Sequence, residues 1–132
     1  MEDSIFTKII KGDIPCHKVY EDDNTFAIMD IHPIQPGHVV VFPKVQVDFV
    51  WDLKDADYSA LMLTVKQVGQ RLNDVFPEKA RIGSIIEGVG IANHAHVNVI
   101  PFDTSDELRN LPDSTSEPDH KALAEMSKKI AF

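Results

Sequence analysis

The stretch HAHVNVIP (residues 94–101) is the most informative part of this chain for its fold and its function. Its polar residues, at positions 94, 96 and 98, alternate with apolar residues at 95, 97 and 99. This period of two is typical of a β-strand with one polar and one apolar face. We therefore expect the imidazoles of His94 and His96 and the carboxamide of Asn98 to point to the same side of one strand.

Two histidines on one strand face allow three interpretations. The first is a solvated face without a function. The second is a metal site, in which both imidazoles bind zinc and His38 or His32 supplies a third ligand, although Asn98 is a poor ligand for zinc. The third is nucleophilic catalysis, in which a neutral imidazole with its Nδ1–H held by an acceptor attacks phosphorus through Nε2.

Helices and strands alternate outward from this stretch. Ser4 is expected to cap a short helix over residues 5–10, and Asp55 or Asp57 to open the longest helix, which ends before Pro77. Strands are expected at residues 19–20, 25–29, 39–42 and 82–86, and in the histidine stretch itself. The sequence predicts an α+β fold with a mainly antiparallel five-stranded sheet, one long helix and short terminal helices.

The chain changes character after Pro101. Residues 103–118 are rich in Asp, Ser, Thr and Pro, which predicts a polar loop, and a terminal helix follows with Leu123, Met126 and Ile130. Residues 103–132 are thus expected to be appended to a domain formed by residues 1–102. Whether the terminal helix docks on its own domain or on a partner subunit is open at this point.

Composition narrows the function classes. The chain has 132 residues, 43% apolar and 26% charged, which fits one globular domain. A formal charge of −8 argues against nucleic acid and anionic membranes as partners. We find no apolar run long enough for a membrane span and no signal-peptide pattern. Cys16 is the single cysteine, which fits a reducing cytoplasm.

The histidine stretch and the segments around it resemble the histidine triad (HIT) family. The hallmark of that family is His-φ-His-φ-His-φ-φ, where φ is apolar, and residues 94–100 fit six of the seven positions. The resemblance covers roughly residues 3 to 102, and its flanking segments occur in the family's order. They are SIFTKII (4–10), IP (14–15), EDD (21–23), DI (30–31), PGHVVVFPK (36–44) and EG (87–88).

The resemblance implies a homodimer with a continuous sheet and a nucleotide pocket on each protomer. His96 would be the nucleophile that attacks the α-phosphorus of a nucleoside phosphoramidate or a dinucleoside polyphosphate. Water would then hydrolyse the nucleotidyl-His96 intermediate and release a nucleoside monophosphate. A purine nucleotide is the expected partner, adenine by family default, and the reaction needs neither a metal nor a cofactor.

The resemblance also assigns roles to individual residues. His94 would orient His96, with its backbone carbonyl accepting from the ring N–H, and His38 would support this network. Asp30 would bind the ribose hydroxyls through its two carboxylate oxygens. Asn93, or backbone N–H groups near it, would take the place of the phosphate-binding side chains found in some members. The apolar wall around the base would consist of Ile5, Phe6, Ile9, Ile14, Ile28 and Ile31.

Asn98 is the main departure from the family, because hydrolase branches carry the third histidine there. Asparagine donates a hydrogen bond but cannot act as a general acid near neutral pH. We expect a hydrolase whose activity Asn98 weakens. A nucleotidyl transferase of the related branch, which carries glutamine at this position, and a nucleotide-binding protein with little turnover are the alternatives.

Overall fold

The computed structural model describes residues 2–91, 93–110 and 113–132. The strands are β1 (Lys18–Glu21), β2 (Thr25–Met29), β3 (Val39–Pro43), β4 (Arg81–Ile85) and β5 (Val97–Phe102). The helices are α1 (Ile5–Ile10), α2 (Asp55–Val75), α3 (Ser105–Arg109) and α4 (His120–Ile130), and a 3-10 turn spans Val50–Asp52. None of the helices in the described ranges has the length and apolar character needed to cross a membrane.

The five strands form one antiparallel sheet in the order β1-β2-β3-β5-β4. This confirms the predicted α+β fold with a five-stranded sheet. The register pairs Val40 with both Ile28 on β2 and Asn98 on β5. Since paired residues in a ladder point to the same side, these three side chains share one face of the sheet.

The two faces of the sheet bury different clusters. Val39 and Val41 of β3 and Val97 and Val99 of β5 belong to the larger core, which also contains the buried stripe of α2. The intervening residues point the other way. Val40 and Phe42 pack with β2 and α1 in a second, smaller cluster. Period-two alternation therefore separates a structural face from the face that carries the histidines.

The terminal helix α4 docks on its own domain, which answers the question that the sequence left open. Leu123 and Ile130 are buried in the larger core. The Arg71 guanidinium on α2 donates to the carbonyl of Ile130 at 2.8 Å, where the helix leaves carbonyls unpaired. Asp119 caps the other end by accepting from the N–H of Ala122.

Two segments differ from the sequence-based expectation. Strand β5 begins at Val97 rather than at His94, because the extended chain before it bonds to a loop, with the Ala95 N–H donating to the carbonyl of Val47 at 2.7 Å. The segment expected to be a polar loop contains the short helix α3. A capping box formed by Thr104 and Glu107 starts this helix.

Candidate active site

The candidate site lies on the sheet face covered by α1. His94, His96 and Asn98 point to this face, as the alternation predicted, and all three are buried. The ring of Phe6, on α1, meets both imidazoles edge-on with centroid distances of 5.5 Å. His38 joins them from the residue before β3, because it lies in phase with Val40.

His94 is held at both ring nitrogens. Its Nε2 lies 2.7 Å from the carbonyl oxygen of Pro43, which can only accept, so Nε2 carries the proton. Its Nδ1 lies 2.7 Å from the Ser4 hydroxyl. Burial lowers the pKa of His94, against the opposing effect of the Pro43 carbonyl, and the nearby His96 lowers it further. We therefore assign His94 as the neutral Nε2–H tautomer, with Ser4 donating to Nδ1.

His96 is held at one ring nitrogen. Its Nδ1 lies 3.0 Å from the backbone carbonyl oxygen of His94, an acceptor that requires a proton on Nδ1. The neutral ring then keeps its lone pair on Nε2. Among the described residues no hydrogen-bond partner contacts that atom. The arrangement leaves an oriented imidazole with a lone pair for an electrophile or a metal ion.

His38 links Asn98 to the loop after β2. Its Nδ1 accepts from the N–H of Ile34 at 3.1 Å, so its Nε2 carries the proton and donates to Asn98 Oδ1 at 2.8 Å. This fixes the orientation of the Asn98 carboxamide, whose Nδ2 faces the carbonyl of Ile85 at 3.4 Å. Burial lowers the pKa of His38, although the Asp30 carboxylate and the bond to Asn98 oppose that effect.

Asp30 has one engaged and one available carboxylate oxygen. Its Oδ1 accepts from the N–H of His32 at 2.8 Å, which closes the turn after β2. Its Oδ2 lies 3.6 Å from His38 Nε2, and the side chain is 27% exposed. Asp30 can therefore accept a further hydrogen bond from solvent or a ligand.

The predicted apolar wall divides into two sets. Phe6, Ile9 and Ile28 are buried in the smaller cluster, with the half-buried Ile14 packed against them. Stacking of the Phe6 and Phe42 rings, at 4.1 Å between centroids, joins α1 to β3 in this cluster.

Three of the predicted binding residues, Ile5, Ile31 and Asn93, are exposed. Ile5 and Ile31 are 44% and 42% exposed, Ile5 on α1 and Ile31 directly after Asp30. Asn93 is exposed and has a φ of +64°, a left-handed conformation that asparagine tolerates better than most residues. It directly precedes His94, so it lies at the edge of the site.

The zinc interpretation finds little support in the geometry. His94 uses both ring nitrogens in hydrogen bonds, and His38 does the same. Within the described ranges, no group of three or more His, Cys, Asp or Glu side chains is arranged to hold a metal ion.

Sequence reasoning missed the polar residues behind His94. The sequence predicts only a helix cap for Ser4 and indicates no role for Thr7 or Gln46. In the structure the Thr7 hydroxyl donates to Gln46 Oε1 at 2.7 Å, and the Ser4 N–H donates to the same oxygen at 2.9 Å. No local sequence signal predicts these contacts, because Ser4 and His94 are 90 residues apart.

Comparison with known proteins identifies relatives of this chain. The model of the HIT domain family matches residues 11–105. A protein named Protein hit from Bacillus subtilis is 33% identical over 104 residues, covering 76% of this chain and 71% of that protein. Adenosine 5'-monophosphoramidase hnt1 from Schizosaccharomyces pombe is 33% identical over 101 residues, covering 74% and 72%.

The three-dimensional comparison gives the same result. The crystal structure of a Hit-like protein involved in cell-cycle regulation from Bartonella henselae superimposes with a TM-score of 0.80 at 26% identity. The superposition covers 97% of this chain and 94% of that chain.

Proposed function

Because this chain belongs to the HIT domain family, we propose that it is a nucleotide hydrolase that cleaves nucleoside phosphoramidates or dinucleoside polyphosphates through a nucleotidyl-His96 intermediate. The observation that carries the proposal is the 3.0 Å contact between His96 Nδ1 and the His94 carbonyl. It directs the Nε2 lone pair outward as a nucleophile. The relative named adenosine 5'-monophosphoramidase supports the phosphoramidate class of substrate.

The reaction has two displacement steps. In the first, His96 Nε2 forms a bond to the α-phosphorus, and the bond from phosphorus to the leaving amine or phosphate breaks with its electron pair. In the second, water attacks the phosphorus, the bond to Nε2 breaks, and a nucleoside monophosphate leaves with a proton lost to solvent. The His94 carbonyl stabilises the positive charge of the nucleotidyl-imidazolium, because it accepts from Nδ1–H throughout.

We propose that the nucleotide is bound by two features of the site, the Asp30 carboxylate and the apolar residues of the smaller cluster. Asp30 Oδ2 is available to accept from a ribose hydroxyl, since only Oδ1 is committed to the turn. Phe6, Ile9, Ile14 and Ile28 supply the apolar surface near the base. The exposed Ile5 and Ile31 are proposed to contact the base from the rim, and Asn93 the phosphate.

We propose that Asn98 occupies the third triad position and weakens hydrolysis. Its Oδ1 already accepts from His38, and its Nδ2 faces the Ile85 carbonyl. A leaving group that needs a proton must therefore take it from solvent, at a loss of about 10²–10⁴ in rate where general acid catalysis matters. Asn98 also cannot act as a base toward water in the second step. This favours nucleotidyl transfer to a phosphorylated acceptor as the second candidate, because the anionic phosphate of such an acceptor attacks without losing a proton.

Hydrolysis of adenosine 5'-phosphoramidate, measured with chelator present, tests the proposal. We expect the wild type to be slow, His96→Ala to be inactive, and Asn98→His to be faster than the wild type. His120→Ala, which changes an exposed histidine whose ring contacts His17 and none of the proposed site residues, is the matched control and should retain wild-type activity. The hydrolase proposal is refuted if the wild type binds nucleotide but neither it nor Asn98→His turns over.

We also propose a homodimer formed through the edge of β4. At the other edge, the Phe132 N–H donates to the Val19 carbonyl and covers part of β1. No strand in the described residues pairs with the outer side of β4. Pro101 has no N–H to donate to Ile82, its partner in the ladder, so we take this pair as a non-hydrogen-bonded one. The backbone N–H and C=O groups of Ile82, and of Ser84 two residues later, then point away from β5 toward the outer edge of β4.

The oligomeric state in solution tests whether the dimer forms through the edge of β4. We expect a dimer for the wild type and for Ser84→Ala, and a monomer for Ser84→Pro, which lacks an outward N–H but leaves the pairing with β5 unchanged. Analytical ultracentrifugation measures this directly. A monomeric wild type would refute the dimer and leave the hydrolase proposal standing. We also propose a cytoplasmic location, because the single cysteine, Cys16, allows no intrachain disulfide and so fits a reducing compartment.

A further inference from the structure

Ser4 does more than cap a helix. Its hydroxyl oxygen accepts from the Thr7 N–H at 3.0 Å, as an N-cap does. The same oxygen lies 2.7 Å from His94 Nδ1, and both residues are buried, with exposures of 7% and 1%. An N-cap needs only a lone pair, so the hydroxyl proton remains for one of two neighbours, His94 Nδ1 or the Thr7 hydroxyl oxygen, which lies farther away at 3.2 Å.

The direction of each hydrogen bond around His94 can be assigned. Because Nε2–H donates to the Pro43 carbonyl, the neutral ring presents a lone pair at Nδ1, and the Ser4 hydroxyl must donate to it. The Thr7 hydroxyl, 3.4 Å from Nδ1, donates instead to Gln46 Oε1 at 2.7 Å. Gln46 is fixed in turn, since its Nε2 donates to the Glu2 carbonyl at 2.8 Å.

These contacts hold both ends of the His94 ring. Ser4 on the α1 side and the Pro43 carbonyl on the β3 side prevent the ring from rotating or changing tautomer. The backbone carbonyl of the same residue accepts from His96 Nδ1. A shift of the His94 ring that also moves its backbone would therefore displace the carbonyl that orients the proposed nucleophile.

We propose that Ser4 is a positioning residue for the proposed hydrolysis: its hydroxyl holds His94 as the neutral Nε2–H tautomer and thereby aims the Nε2 of His96. Gln46 supports Ser4 through the backbone N–H. The inference rests on the proposed function, because it names a residue that acts on the same nucleophile. Ser4 has no direct contact with the reacting atoms and acts through His94.

The charge on His94 matters for the first displacement step. That step makes His96 cationic, and a protonated His94 beside it would oppose the change. Among the described residues, His96 is the titratable group whose charge acts on His94. With a donor at Nδ1, His94 has no free lone pair to protonate. An acceptor at position 4 would instead favour protonation of Nδ1.

Two substitutions separate this role from helix capping. Ser4→Thr keeps both the cap and the hydroxyl donor. Ser4→Asp keeps the cap, since aspartate is as good an N-cap as serine, but replaces the donor with an acceptor. Thr104→Ala, which removes the N-cap of the exposed helix α3, is the matched control for the loss of a cap.

Hydrolysis of adenosine 5'-phosphoramidate is measured for these variants as a function of pH. We expect Ser4→Asp to lose about tenfold or more in kcat, with KM nearly unchanged, and to shift the acidic limb of the pH profile to higher pH. Ser4→Thr should stay within a few-fold of the wild type, and Thr104→Ala should match it. A Ser4→Asp variant with wild-type kcat and pH profile would show that Ser4 is only a cap, and overturn the proposal.

NMR of the imidazole ring nitrogens gives a readout that does not need turnover. We expect His94 to have a protonated Nε2 and an unprotonated Nδ1 in the wild type and in Ser4→Thr, and a protonated Nδ1 in Ser4→Asp. An unchanged His94 in Ser4→Asp would overturn the inference. If neither the wild type nor Asn98→His hydrolyses the substrate, the proposed function fails, while the spectra still decide whether Ser4 sets the tautomer.

Discussion

Replacing Asn98 with leucine should destabilise the fold by about 2 kcal/mol, because the buried Nε2–H of His38 then loses its acceptor. In the wild type this N–H lies 2.8 Å from Asn98 Oδ1, and the two residues are 2% and 9% exposed. Leucine has the same branching and number of side-chain heavy atoms as asparagine, so little cavity volume is created. The cost therefore comes from the unpaired donor, at about 1–3 kcal/mol.

Asp30 determines how much of that cost is measured. Its Oδ2 lies 3.6 Å from the same nitrogen, so a shift of less than about 1 Å would provide a new acceptor for His38. If that shift occurs, Asp30→Ala should be more damaging in the Asn98→Leu background than alone. We expect a coupling of about 1 kcal/mol between the two sites, measured as the non-additivity of a double-mutant cycle.

The assay is urea unfolding at neutral pH, followed by far-UV circular dichroism. Fluorescence is a poor probe here, since the single tryptophan, Trp51, is 72% exposed. Asn73→Leu, at an exposed position of α2, is the matched control and should change the free energy of unfolding by no more than about 0.5 kcal/mol. The reasoning is wrong if Asn98→Leu is as stable as this control and the cycle is additive.

Two further predictions concern pH and a glycine. Burial lowers the pKa of both His94 and His38, so the folded state binds fewer protons than the unfolded chain. This contribution to stability should be complete above about pH 6.5, the ordinary pKa of histidine, and should be lost progressively as the pH falls below it. Urea unfolding that shows no loss of stability in mild acid would contradict this expectation. Gly37→Ala should lower Tm more than Gly12→Ala: both have positive φ, but a Cβ at Gly37 would lie 2.9 Å from Phe76, while Gly12 is open. Equal losses, measured by thermal unfolding, would show that only the backbone strain matters.

Local periodicity predicted the strands and the direction of the site residues. The alternation at His94, His96 and Asn98 is a property of a single extended segment, so no knowledge of the neighbouring strands was needed. The long helix α2 was equally predictable from the sequence, because Leu61, Val65, Val68 and Leu72 lie at helical spacing. All four residues are buried in the structure.

Contacts between distant segments could not be predicted in this way. Nothing near His94 in the sequence indicates that its ring meets Pro43 and Ser4, or that the chain there pairs with a loop instead of continuing β5. The short helix α3 is a different case. Thr104 and Glu107 form a capping-box pattern that is visible in the sequence, but the polar composition around it favoured a loop.

The stability of α1 and the chemistry of His96 depend on the same few atoms. The Ser4 oxygen caps the N-terminus of α1 and also contacts His94, and Phe6, two residues later, packs against both imidazoles. If α1 frays, the donor to His94 and the ring against His96 are lost together. Loosening of α1 should therefore reduce activity before the sheet unfolds. Hydrogen exchange of the Thr7 amide and loss of turnover should follow the same temperature dependence, below the Tm of the whole domain.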